Sequence, residues 1–297
     1  MVLGVTVLPD ASAKAAEPPA WHAQRKLQLV IEDRKGNVPR YALAVREPAR
    51  PTRPSQPATS APSIGPPIFL TAGQPVEIEV VNRLKESTAI HWHGIELESY
   101  YDGVPDWTGT PQQTTPAVGP GKSFVARMAP PHAGTFIYHT HWHDERQLTN
   151  GIYGPIIVLP PGRDFDPSRD KLFVIGLGDF GPRGEMLVIN GIPSPPAVPL
   201  SVGVKYRFRF INITPDSTGM QIKLLRAGVP VQWHAIAKDG ANLPPVQAVN
   251  DKADMLTTVG ETYDFEYQAE KPEELSLEIF SPEPRTRTSQ TLSFGTR

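Results

Sequence analysis

The chain contains no cysteine. Disulfides, thiolate-bound zinc and cysteine nucleophiles are therefore excluded, and any metal site must be built from histidine, carboxylate or methionine. An excess of charge of one sign is also lacking. The 29 basic residues stand against 31 acidic ones, which gives no footprint for nucleic acid or an acidic membrane surface as a partner. No apolar run approaches the roughly 20 residues that a membrane span needs. No stretch shows a helical period over about ten residues. Neither Gly-x-Ser-x-Gly nor a phosphate-binding Gly-x-x-x-x-Gly-Lys occurs.

Proline and glycine are plentiful instead, with 34 and 24 copies among 297 residues. They interrupt helices and punctuate short strands, so the composition favours an all-β protein. Residues 1–25 read as an N-terminal arm. Its apolar start and the small residues Ala11–Ala16 superficially resemble a signal peptide, but no basic region precedes the apolar run. Residues 26–160 read as one β domain, interrupted by a Pro-, Ser- and Thr-rich loop at 48–67. Its strands include Leu27–Glu32, Val76–Asn82, Ala89–Gly94, Ser123–Met128, Gly134–His141 and Gly154–Leu159. Pro160-Pro161-Gly162 marks a boundary, and residues 161–297 read as a second β domain. Short strands separated by turn signals describe two β-sandwiches of about 110 to 135 residues each.

Five of the eight histidines lie in two clusters, His91-Trp92-His93-Gly94 and His139-Thr140-His141-Trp142-His143. In a strand, residues i and i+2 share a face. His91 and His93 therefore project together, as do His139 and His141, and four imidazoles converge if the two strands are neighbours. His143 would fall on the same face by alternation, but Asp144-Glu145-Arg146 reads as the end of the strand. It is a candidate extra ligand. Isolated histidines such as His22, His132 and His234 are read as partly buried rings with a hydrogen bond. Four imidazoles without a carboxylate or thiolate among them suit copper or zinc. Zinc-dependent hydrolysis would want a carboxylate in the motif, and Asp144 and Glu145 are the near candidates. Tyr100, Tyr101 and Trp107 either line a donor pocket or pack a loop.

These residues resemble the multicopper oxidases, the laccase-like family. The likeness rests on His91-Trp92-His93-Gly94, on Gly134-Thr135-Phe136-Ile137-Tyr138-His139-Thr140-His141, on Asp102-Gly103 and on Gly154-Pro155, and it covers residues 65–160. The second β set, with Val188–Gly191 and Tyr206–Asn212, looks like another domain of that family without a metal motif. The resemblance implies two cupredoxin-like Greek-key sandwiches. It implies His91 as a type 2 copper ligand and His93, His139 and His141 as ligands of the type 3 pair. It gives Asp102 a catalytic role, orienting water or assisting proton transfer during oxygen reduction, whereas Asp102-Gly103 taken on its own reads as a plain turn. It also implies a phenolic or similar donor, dioxygen as acceptor, and a periplasmic or extracellular setting.

The chain departs from the family where a complete oxidase has its second half-site. The His-Pro-x-His-x-His and His-Cys-His motifs are absent, so a thiolate-bound type 1 copper is impossible here. Four of the eight histidines expected around the trinuclear cluster are present. Met1–Val7 resembles a strand that closes the cysteine-bearing domain in a rearranged family form, which would make the chain the later half of a longer oxidase. The alternatives are assembly with a partner that bears the missing ligands, as in the trimeric two-domain members, or work alone with one or two coppers. A non-catalytic copper-binding or scaffold module is the rival reading.

Overall fold

A computed structural model describes residues 21–34, 40–47, 64–215, 219–281 and 287–296. The residues before Trp21, including Met1–Val7, which the sequence reads as a strand, and most of the Pro-rich loop lie outside the described residues.

The first sandwich comprises β1 (Arg25–Asp33), β2 (Tyr41–Arg46), β3 (Ile68–Thr71), β4 (Val76–Asn82), β5 (Ile90–His93), the short hairpin β6 (Gly109–Thr110) and β7 (Gln113–Thr114), β8 (Ser123–Met128), β9 (Gly134–Thr140) and β10 (Tyr153–Leu159). Its two main sheets run β2-β1-β4-β8 and β3-β10-β9-β5. A short helix, α1 (Asp144–Thr149), separates β9 from β10. The second sandwich comprises β11 (Asp170–Asp179), β12 (Glu185–Ile189), β13 (Val198–Ser201), β14 (Lys205–Asn212), β15 (Met220–Arg226), β16 (Val229–Pro230), β17 (Gln232–Lys238), β18 (Ala241–Asn242), β19 (Asn250–Lys252), β20 (Asp254–Thr257), β21 (Thr262–Gln268), β22 (Glu273–Phe280) and β23 (Arg287–Gly295). One sheet runs β12-β11-β14-β21-β17-β18, with β19 on β17. The other runs β13-β23-β22-β15-β16, with β20 on β15.

Strand chemistry explains most of this arrangement. Alternate residues of β4 are buried, Val76, Ile78 and Val80, while the glutamates between them face outward. The first core gathers Leu29, Ile31, Ile78, Trp92 and Tyr138. The second gathers Phe208, Phe210, Trp233 and Phe265, with Trp233 stacked on Phe265 at 4.0 Å.

Strand β9 breaks the alternation, because six of its seven residues are buried. Phe136 and Tyr138 face the first core, whereas Ile137 faces the second sandwich. Ile137, Leu148 and Tyr153 there join Val174, Ile211 and Ile213 in one apolar cluster. A buried polar network adjoins it. Asp264 of β21 accepts the Thr135 hydroxyl at 2.9 Å, Arg207 Nε at 2.8 Å and Arg209 Nη1 at 2.8 Å. Arg209 also pairs with Asp170, and the Thr262 hydroxyl donates to the Thr135 carbonyl. The strand that carries His139 is thus fastened to the second sandwich on the face where its imidazole stands.

Candidate metal centre

Strands β5 and β9 are antiparallel neighbours. Their register sets His91 opposite His139, Trp92 opposite Tyr138 and His93 opposite Ile137. Trp92 and Tyr138 go to the core on one face, so His91, His93 and His139 share the other. The pairing that the sequence left conditional is therefore present. His141 follows the last residue of β9 but stays with the group. Its ring centroid lies 5.8 Å from that of His91 and 6.1 Å from that of His139.

Ligand atoms of His91, His93 and His139 all lie within 4.8 Å of one another. That is little more than twice a metal–nitrogen bond of about 2.0–2.1 Å. His139 is oriented by its own chain: its Nδ1 donates to the Thr140 carbonyl at 2.7 Å. Its Nε2 is buried and has no hydrogen-bond partner among the described residues. A buried imidazole nitrogen without a proton or a partner is costly unless a metal takes its lone pair. His91 is oriented similarly, with Nδ1 2.8 Å from the Asp102 carbonyl and 3.2 Å from the Asp102 carboxylate. In each case the bonded Nδ1 fixes the tautomer that leaves Nε2 as the acceptor nitrogen. The donor set fits a borderline metal such as copper.

Burial pushes the His139 pKa down to about 3, helped by the neighbouring His91. Burial first, and His91 next, also lower His93. Both rings are therefore neutral near pH 7, the form that binds metal.

Support from beneath comes from Gln147 of α1. It is fully buried and accepts the hydroxyls of Thr88 and Thr140, both at 2.8 Å, while its amide donates to the Ser87 carbonyl. Asp102 is placed by a turn that needs glycine. Gly103 has φ +86°, and a Cβ there would lie 1.7 Å from the Ile90 carbonyl oxygen. The plain-turn reading of Asp102-Gly103 and its link to His91 therefore coexist.

The four histidines line a cavity of about 370 Å3 whose other walls are Leu148, Ile213, Pro215, Val259 and Gly260. His143 does not line it. That residue is exposed at the head of α1 with φ 50°, beside Trp142. Tyr100 and Tyr101 pack on Phe124, and Trp107 is 88% exposed. His132 lies against Phe136, and His234 bonds Asn250, each as a lone histidine would. The second-sandwich wall was not legible in the sequence. Ile213, Pro215, Val259 and Gly260 come from two loops remote from the histidine motifs, and none is of a ligating type.

Residues 56–163 match the family described as multicopper oxidase. A laccase of Neurospora crassa is 31% identical over 227 residues, covering 68% of this chain and 34% of that one. Laccase-1 of Cryptococcus neoformans is 28% identical over 193 residues, covering 50% of this chain and 30% of that one. The chain thus spans about a third of the length of these relatives. Among solved structures, the McoA multicopper oxidase of Aquifex aeolicus superposes with a TM-score of 0.70 at 18% identity, covering 93% of this chain and 63% of that one.

Proposed function

The chain belongs to the multicopper oxidase family, and we propose that it is the histidine-bearing part of a laccase-type copper oxidoreductase that oxidises phenolic or similar donors with dioxygen as acceptor. The observation that carries this reading is the buried, unpartnered Nε2 of His139, set within 4.8 Å of ligand atoms of His91 and His93. Here His91 is the type 2 ligand, and His93, His139 and His141 are type 3 ligands. His143 is at most an accessory ligand, reached only if its loop turns inward. Bound copper supplies the one-electron exchange with dioxygen that no side chain of this chain can perform.

The residues themselves do the remaining work. Asp102 holds His91 through its carbonyl, and its carboxylate beside Nδ1 can hold or pass a proton at that atom. Thr140 holds His139 in the same way. Leu148, Ile213, Pro215 and Val259 give the cavity apolar walls, which exclude water and favour an uncharged aromatic donor. Without cysteine there is no type 1 site, so a donor reaches the histidine-bound copper directly or through a partner. That partner would be a cysteine-bearing cupredoxin half, in the same longer chain or in another subunit. A homo-oligomer of this sequence alone would not supply the missing histidines. The family setting supports a periplasmic or extracellular location. No helix among the described residues is long and apolar enough to cross a membrane.

A second reading, a copper-binding or scaffold module without turnover, is favoured by the missing half-site. Zinc hydrolysis has less support, since no carboxylate joins the three-histidine group among the described residues. The test is copper-loaded protein with a phenolic donor, following oxygen uptake together with electron paramagnetic resonance. Uptake above that of free copper, lost in His91→Ala and His139→Ala, supports the oxidase. A tightly held copper without uptake supports the module.

A further inference from the structure

The turn 258–261 joins β20 to β21 in the sandwich that has no metal motif, yet it reaches the histidine cluster. Gly260 N–H donates to the Asn212 carbonyl at 2.8 Å, and Asn212 N–H donates to the Glu261 carbonyl at 3.1 Å. The Asn212 side chain donates to the Thr257 carbonyl at 3.0 Å. Glu261 accepts Thr258 N–H at 2.7 Å and pairs with Lys238 at 2.8 Å. The turn is therefore braced at both ends and from two neighbouring strands.

Gly260 sits at its tip with φ +85°. A Cβ at that position would lie 2.7 Å from His93 Cε1 and 2.8 Å from His93 Nε2. Such approaches are too close for any real side chain, and the opposing atoms belong to a ring that cannot give way freely. On the ring's other sides stand His91, with centroids 5.4 Å apart, and His139, at 5.6 Å. The His93 imidazole is thus confined between the other two ligand candidates and the bare Cα of Gly260.

We propose that Gly260 is a positioning residue of the copper site: the second sandwich, through this turn, fixes where the His93 imidazole stands. The inference rests on the reading that the histidines hold copper. It gives the metal-free sandwich a direct part in the site, beyond its hold on β9. Partners that orient a ligand typically change metal affinity by about 10- to 100-fold when lost.

The test compares Gly260→Ala and Gly260→Asn with Gly203→Ala. Asparagine tolerates positive φ better than alanine, so the pair keeps the crowding while varying the backbone strain. Gly203 has φ +76° with nothing among the described residues within 4 Å of a Cβ, so its variant carries the strain alone. Three readouts are taken on the full chain: copper(II) affinity by competition titration, the copper hyperfine pattern, and the His93 ring nitrogen resonances of metal-free protein. Both Gly260 variants are expected to lose roughly 10- to 100-fold in copper affinity, with an altered hyperfine pattern and shifted His93 resonances. Gly203→Ala is expected to change none of the three. Folded Gly260 variants with wild-type affinity, spectrum and resonances overturn the inference. Failure of the copper reading is seen separately, as wild-type chain that binds copper no better than His139→Ala.

Discussion

His91 and His139 face each other directly across β5 and β9, with ring centroids 5.3 Å apart and planes at 87°. Each has its Nδ1 committed to a backbone carbonyl, Asp102 for one and Thr140 for the other. On the proposed reading the two rings are held for a metal between them, and burying His139 with no partner for Nε2 among the described residues carries an electrostatic cost. A site built this way trades stability for binding, and the trade is measurable.

Replacing His139 by leucine removes both the proposed metal-binding nitrogen and the unsatisfied buried atom. Copper binding is expected to fall by more than about tenfold, since a proposed ligand should matter at least as much as a residue that orients one. The melting temperature of the metal-free chain should stay level or rise, because an unpaired buried polar group costs about 1–3 kcal/mol. Parallel thermal melts and copper titrations check both halves. A large loss of metal-free stability would show that His139 serves packing instead.

The same residue sets a pH dependence. The folded-state pKa of His139 is about 3, against an ordinary value of 6.5. Between those values the unfolded chain binds the extra proton and the folded chain does not, so protonation of this residue costs the fold nothing above about pH 6.5 and lowers stability progressively as pH drops towards 3. Urea midpoints of metal-free wild type should therefore fall more steeply from pH 7.5 to pH 4.5 than those of His139→Leu. Equal slopes would contradict the burial argument.

The fastening of β9 gives a third expectation. Asp264 is 1% exposed and Arg209 5% exposed. Asp264→Ala leaves both Arg209 and Arg207 without this carboxylate, and breaking such a buried pair costs on the order of 3–5 kcal/mol. Thr135→Val removes one hydroxyl donor and costs about 1–3 kcal/mol. The two residues touch, so the double variant should cost less than the sum. Chemical denaturation of the three variants measures this, and strict additivity would show that the contact is not coupled.

Asp102 is testable on both its groups. Asp102→Asn keeps the carbonyl that holds His91, so copper should bind, while any proton transfer through the carboxylate is lost. Gly103→Ala strikes the turn itself, because its Cβ would collide with the Ile90 carbonyl. It should lower both stability and copper affinity, with the affinity lost by about tenfold or more. Copper titration and melting of the two variants separate them. A Gly103→Ala chain with wild-type copper binding would detach the turn from the site.

The histidine motifs were legible because period-two spacing is a local property. His91 and His93, read two apart, had to share a face, and the likeness around Gly134–His141 supplied the partner strand. What stayed hidden was contact at a distance. Strand β9 is buried on both faces, so its pattern carries no alternation from which to infer that Ile137 meets a second sandwich. Strand β17, with its bulge between Ala235 and Ala237, and strand β23, with its polar alternation, gave weaker signals than the apolar runs around them. Neither Val259 nor Gly260 is of a ligating residue type that would mark it as part of the site. Their position at the histidine cavity follows only from the pairing of β20 with β15 and of β21 with β14.

The most direct test of the central claim is copper content per chain after exhaustive dialysis, with the visible spectrum, for wild type beside His139→Leu. The account predicts at most about two coppers by ligand count in the wild type and no intense blue band, with the bound copper lost in the variant. Equal copper in both proteins, or none in either, would contradict it.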